Sequence, residues 1–223
     1  MARRKDKQPT IYIQWIASDQ FNFSRESKPG FLKYVHQTGA MLDNAGSNPN
    51  IRTPVELVRA ITRRYGKISV DLAATAGDEV EGCDVYLTPE INSLAQDWGA
   101  IARLYPGHLF CNPPYSKIAP WVAHAARYAP QLADGQFLFM LIPASVGAKY
   151  WRDFVDGCAF EQQIGRVCFD GYKAGSMKDH CLLIYSNDLS REDGNLSRYW
   201  DWKALLEPDE LAAYNARSKG SKT

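Results

Sequence analysis

One stretch constrains the fold more than any other: Phe137-Leu138-Phe139-Met140-Leu141-Ile142, continuing through Pro143 to Ala144 and bounded upstream by Gly135. Successive strand residues point to opposite faces, so a strand with one wet face alternates apolar and polar side chains. This run does not alternate. It predicts a strand buried on both faces, as in a parallel sheet covered by helices. It is also far shorter than the roughly 20 residues that span a bilayer. His180-Cys181-Leu182-Leu183-Ile184-Tyr185 reads as a second buried strand. Strands alternating with helices imply an α/β fold, a mostly parallel sheet with helices on both faces. The strands at 161–167 and 180–185 are joined by a loop, Asp170 to Asp179, and not by a helix. They predict an antiparallel edge.

Other elements fall around these. Thr53-Pro54-Val55-Glu56 has the form of a capping box with proline at the first helical position. Leu57, Val58, Ile61 and Tyr65 share one helical face behind it, and Gly66 ends the helix. Residues 67–73 read as a strand, 79–107 as short strand-like and turn elements, 118–126 as a helix and 150–155 as a short helix. Residues 1–50 are taken as an N-terminal extension, partly disordered, with a strand-like stretch Ile11–Ile16. Residues 51–187 form the main domain and 188–223 a tail, helical around Trp202–Leu206 and after Pro208.

Charge and cysteine usage narrow the class. A net charge of +1 leaves no global field for nucleic acid, so any such contact must be local. Five cysteines with no CxxC pair point to reduced thiols in a cytoplasmic protein. The four histidines show no ligand spacing, and no metal is assigned. No apolar core follows Met1-Ala2-Arg3-Arg4-Lys5, so it is not read as a signal peptide.

The chemistry concentrates at Phe110-Cys111-Asn112-Pro113-Pro114-Tyr115. Two prolines cannot continue a central strand, and they hold φ near −65°. The strand therefore stops at Asn112 and displays an amide, a proline carbonyl and an aromatic ring at its C-terminal end, where ligands bind in open α/β sheets. The Asn112 side-chain oxygen and the Pro113 carbonyl form an acceptor pair. Set against the two N–H bonds of an exocyclic amine, that pair favours a tetrahedral nitrogen with its lone pair free to attack. Tyr115 supplies a flat face for stacking.

Asn112-Pro113-Pro114-Tyr115 resembles the catalytic motif of S-adenosylmethionine-dependent methyltransferases acting on exocyclic or amide nitrogen. The ordered series is more specific: Arg52-Thr53-Pro54, Asp71-Leu72-Ala73-Ala74, Leu94 to Trp98, Cys111–Ser116 with Trp121, Leu141-Ile142-Pro143-Ala144 and Gly165-Arg166-Val167. Together these resemble the phage DNA N-6-adenine methyltransferase (Dam) family over roughly residues 50–187. The resemblance implies a Rossmann-like class I methyltransferase fold, S-adenosyl-L-methionine as cofactor, double-stranded DNA as substrate and a cytoplasmic setting in a bacterial or phage-infected cell. It places Asp71 to Ala73 at the first cofactor motif, and Thr53 and Pro54 at the cofactor's methionine end. Asp97 falls on its adenine amino group, and Asn112, Pro113, Pro114 and Tyr115 on a flipped adenine. The chain departs from better-known methyltransferases in lacking an FxGxG loop after the first strand. Lys149, Arg152, Arg166, Lys173 and Lys178 are candidate DNA contacts. The stretch between Asp71 and Asn112 is too short for a recognition domain, which leaves the first 50 residues, 144–180 or the tail.

Plainer readings stand beside these. Asp71 suits a helix cap or turn, Asp97 a surface turn, Trp121 the core, and the lysines and arginines ordinary solvated surface. The same tetrapeptide also suits a protein glutamine amide or an RNA base amine. A non-catalytic nucleic-acid-binding relative is the third reading, against which the intact tetrapeptide argues.

Overall fold

The computed structural model describes residues 52–74, 79–170, 176, 178–188 and 197–220. The basic tail and the Ile11–Ile16 stretch lie outside them. Seven strands form one sheet: β1 (Ile68–Asp71), β2 (Val85–Tyr86), β3 (His108–Cys111), β4 (Leu138–Pro143), β5 (Phe160–Arg166), β6 (Asp179–Tyr185) and β7 (Ser197–Tyr199). Their order is β2-β1-β3-β4-β6-β5-β7. Only β6 runs against the rest, paired antiparallel with β4 and with β5, while β7 joins β5 in parallel. The antiparallel edge expected from sequence is therefore corrected. The β5–β6 hairpin forms, but β6 slots between β4 and β5, and residues 197–199 supply the edge strand. A buried position suits β6, because five consecutive apolar side chains leave neither face fit for water.

The continuous apolar strands distribute their side chains as period two demands. Leu138, Met140 and Ile142 of β4 join Leu109, Cys111, Cys181, Leu183 and Tyr185 on one face. Phe139 and Leu141 join Phe110, Leu182 and Ile184 on the other. The first face is covered by α2 (Trp98–Leu104), α3 (Ile118–Tyr128) and α4 (Lys149–Phe154), through Trp98, Ile101, Trp121, Val122 and Trp151. The second is covered by α1 (Val55–Tyr65) and α5 (Pro208–Gly220), through Leu57, Val58, Ile61 and Tyr214. Trp200 and Trp202 complete that layer. The Tyr214 hydroxyl accepts the Cys168 amide at 2.9 Å, so the last helix is tied to the chain just beyond β5.

Two local readings are corrected, the first by tertiary contacts. The residue before α1 is Pro54, and no side chain caps the helix, so the capping box does not form. Thr53 lies one position too early, and its hydroxyl instead receives Asn112. Glu56 is buried and paired with Arg217. Within 79–107, Asp97 accepts the Ala100 amide at 2.8 Å and starts α2, a helix the sequence reading missed. An Asp cap followed by Trp98, Ile101 and Ala102 was the available signal.

The topology selects one edge for function. Six strands run alike, so Asp71, Tyr86, Cys111, Pro143, Arg166 and Tyr199 end them at one edge. From β1 the chain adds β2 on one side, then crosses to place β3 on the other. The winding reverses between β1 and β3, which makes the crevice beyond Asp71 and Cys111 the switch point where open α/β sheets bind ligands.

Candidate active site

Asn112 follows the last residue of β3 directly. Its side-chain nitrogen donates to the Thr53 hydroxyl at 3.0 Å. An amide has one donor end and one acceptor end. Engaging the nitrogen fixes which end is which, and among the described residues Oδ1 receives no hydrogen bond. The Pro113 carbonyl receives no hydrogen bond among the described residues, whereas the Pro114 carbonyl is taken by the Lys117 amide at 3.2 Å. Both acceptors belong to adjacent residues of a backbone that the prolines hold still, with Pro114 at φ −63°.

Tyr115 begins a short 3-10 turn. Its ring lies 5.7 Å from that of His180 and 6.3 Å from Phe169 between centroids. The Tyr115 residue is half-buried, while its hydroxyl is buried and unpartnered. Burial, with the Cys111 thiol close by, drives its pKa well above the ordinary value, so the ring stays neutral. His180 is almost fully buried, and loss of hydration lowers it to about 4. Neither Tyr115 nor His180 is therefore charged near neutral pH.

Asp71 ends β1 with its side chain buried. Its oxygens accept the Ala73 amide at 3.1 Å and the Val80 amide at 3.0 Å. Burial is the largest influence and pushes its pKa up to about 6, with the Glu79 charge adding and the two amides opposing. Asp71 therefore ties Ala73 to Val80 through its buried carboxyl. Asp97 uses Oδ1 to cap α2. Behind it Trp98 is fully buried and donates to the Ser93 carbonyl at 3.0 Å, while His124 contacts the Gln96 carbonyl at 3.0 Å. Trp121 is buried in the core, as the plainer reading had it.

The candidate DNA contacts border the same edge. Lys149 begins α4 just past β4, Arg166 ends β5 and Lys178 precedes β6. Lys149, Arg152 and Arg166 keep 80%, 71% and 70% of their side chains exposed, which leaves them open to a phosphate. Asp153 pairs with both Lys149 and Arg152, and Asp179 lies 3.7 Å from Arg166, so part of their charge is offset. Lys173 lies outside the described residues. The sequence reading missed what surrounds the turn: the bond from Asn112 to Thr53, and the packing of Phe169 and His180 on Tyr115. Long sequence separations hid both. Among the described residues no cluster of three or more His, Cys, Asp or Glu side chains suits a metal, and no helix is long and apolar enough to cross a membrane.

A family model described as DNA N-6-adenine-methyltransferase (Dam) matches residues 47–197. The chain belongs to this family. It is 33% identical over 101 residues to the DNA N-6-adenine-methyltransferase of Escherichia phage T1, across 45% of this chain and 38% of that protein. It is 39% identical over 70 residues to the Escherichia coli K12 protein titled "Putative methyltransferase YfdM", across 31% of this chain and 70% of that protein. The chain thus matches little more than a third of the phage T1 relative's length.

Proposed function

We propose that this protein transfers a methyl group to the 6-amino group of an adenine flipped out of double-stranded DNA, with S-adenosyl-L-methionine as donor. The observation that carries the reading is the bond from the Asn112 side-chain nitrogen to the Thr53 hydroxyl at the switch point, which leaves Oδ1, and the Pro113 carbonyl next in the chain, to act as the acceptor pair. The fold is read as a Rossmann-like class I methyltransferase sheet. The catalytic unit is taken to run from residue 51 into α5, because Trp200, Trp202 and Tyr214 complete its core.

The residues at the switch point suit the cofactor. Thr53, followed by Pro54, meets Asn112 on one side of the crevice, and the Asp71 carboxylate holds the Ala73 and Val80 amides on the other. Among the described residues Asp97 Oδ2 has no hydrogen-bond partner, which suits an adenine amino group. Bound S-adenosylmethionine would supply an electrophilic methyl carbon. Asn112 Oδ1 and the Pro113 carbonyl accept the two N–H bonds of the target amine, and the nitrogen lone pair is released from the ring. Tyr115 and Pro114 confine the base, and Lys149, Arg152, Arg166, Lys173 and Lys178 meet phosphates. A rigid acceptor pair needs little reorganisation at the transition state. The positive charge that forms on nitrogen is lost as a proton to water after transfer, so no strong base is required beforehand.

The test is incubation with labelled S-adenosylmethionine and unmethylated DNA, RNA or total protein extract, followed by mapping of methylated adenines. Label in DNA at adenine N6 is the expected result. Label confined to RNA or protein would replace DNA by one of the other planar nitrogen substrates, and no label in any of them would favour a non-catalytic relative.

A further inference from the structure

Thr53 is held from both sides by residues far away in sequence. On its N-terminal side Arg52 exchanges both backbone hydrogen bonds with Asp170, each at 3.1 Å. On its C-terminal side Pro54 leads into the first turn of α1, where Glu56 sits 3% exposed. One side chain reaches both anchors. The Arg217 guanidinium on α5 donates through one nitrogen to Glu56, while its Nε lies 3.0 Å from Asp170 Oδ1, an ion pair not aligned as a hydrogen bond. Among the described residues Glu56 has no other ion pair, and a buried carboxylate without its counter-charge is strongly unfavourable. α5 is itself docked independently by Tyr214 and its contact with Trp202, so Arg217 is not needed merely to attach the helix.

We propose that Arg217 is a positioning residue for methyl transfer. By gripping Glu56 and Asp170 together it fixes the short segment carrying Thr53, and Thr53 in turn sets the Asn112 amide. Arg217 touches neither substrate nor cofactor. The link rests on the functional reading above only where its test reads catalysis.

Three variants test it. Arg217→Gln combined with Glu56→Gln removes the clamp without stranding a buried charge. Arg217→Lys keeps the charge but cannot span both carboxylates as a planar fork does. Thr53→Val breaks the last link. The clamp variants should lower single-turnover methyl transfer about two- to fivefold with cofactor affinity within about twofold, since small displacements of catalytic groups cost rate more than binding. In the Thr53→Val background the same change should cost less than about twofold more, because residues acting in one chain are non-additive. A full additive loss, or an unchanged rate in a folded clamp variant, overturns the proposal.

Proton exchange of the Asn112 side-chain NH₂, followed by NMR without DNA or cofactor, gives a readout that needs no activity. It should be slow in the wild type and faster in Arg217→Lys. An unchanged exchange rate also overturns the proposal. Wild-type protein inactive on every substrate would instead remove the functional reading, leaving the NMR comparison to decide on Arg217.

Discussion

The bond between Asn112 and Thr53 makes a quantitative claim about rate. Valine replaces the threonine hydroxyl by a methyl of similar shape, so Thr53→Val deletes the acceptor 3.0 Å from Asn112 Nδ2 and little else. A half-buried hydrogen bond of this kind is worth about 1 kcal/mol net. Without it the amide is free to turn over and present its nitrogen where the acceptor oxygen is needed. A bias of that size corresponds to about fivefold in rate, since each 1.36 kcal/mol is tenfold. Asn112→Ala removes the acceptor outright and should cost about 10²–10³-fold, the range seen when one preorganised stabilising group is lost. Single-turnover transfer of labelled methyl to unmethylated DNA measures both, with cofactor affinity followed by calorimetry. The double variant should be no slower than Asn112→Ala alone, because Thr53 acts on rate only through that amide. If Thr53→Val leaves the rate untouched and weakens only cofactor binding, the threonine is a cofactor contact and the orientation argument fails.

Three further outcomes follow from burial. The Asp71 carboxyl is raised from 3.8 to about 6, so the folded state holds the proton more tightly than the unfolded chain. Asp71 should therefore cost stability as pH rises from 4 to 6.5. Unfolding free energies of wild type minus Asp71→Asn should fall by about 2 kcal/mol across that window, and a flat difference refutes the assignment. His124 and His180 are lowered from 6.5 to about 4 by burial, the opposite case. Their contribution is complete above pH 6.5 and lost as pH falls toward 4. Denaturant melts at pH 7 and 5 should show a smaller acid loss in His124→Phe than in the wild type. Tyr214→Phe leaves the buried Cys168 amide without its acceptor and should cost about 1–3 kcal/mol by denaturant unfolding, with the far-ultraviolet spectrum unchanged.

Much of this protein is written locally. The buried strands β4 and β6 were legible because an unbroken apolar run has no other comfortable place in a folded chain. The end of β3 was legible because two prolines forbid its continuation, and α1 because four apolar residues share a helical face up to Gly66. What failed did so where distant partners outbid local preferences. Thr53 has the form of a cap but bonds to Asn112, and Glu56 has the form of the matching box residue but is buried against Arg217. β7, three exposed residues with no apolar pattern, gains its place solely from the free edge of β5.

The sequence by itself determined the strand cores and the rigid Asn112–Tyr115 turn, since both follow from period, propensity and the geometry of proline. Tertiary structure alone decided which end of the Asn112 amide is free, that Asp71 ties Ala73 to Val80, and that β6 lies within the sheet. These outcomes depend on which backbone and side-chain groups come within about 3 Å of one another after folding. Residues 53 and 112, or 56 and 217, carry no mark of such a meeting until the sheet and its covering helices bring them together.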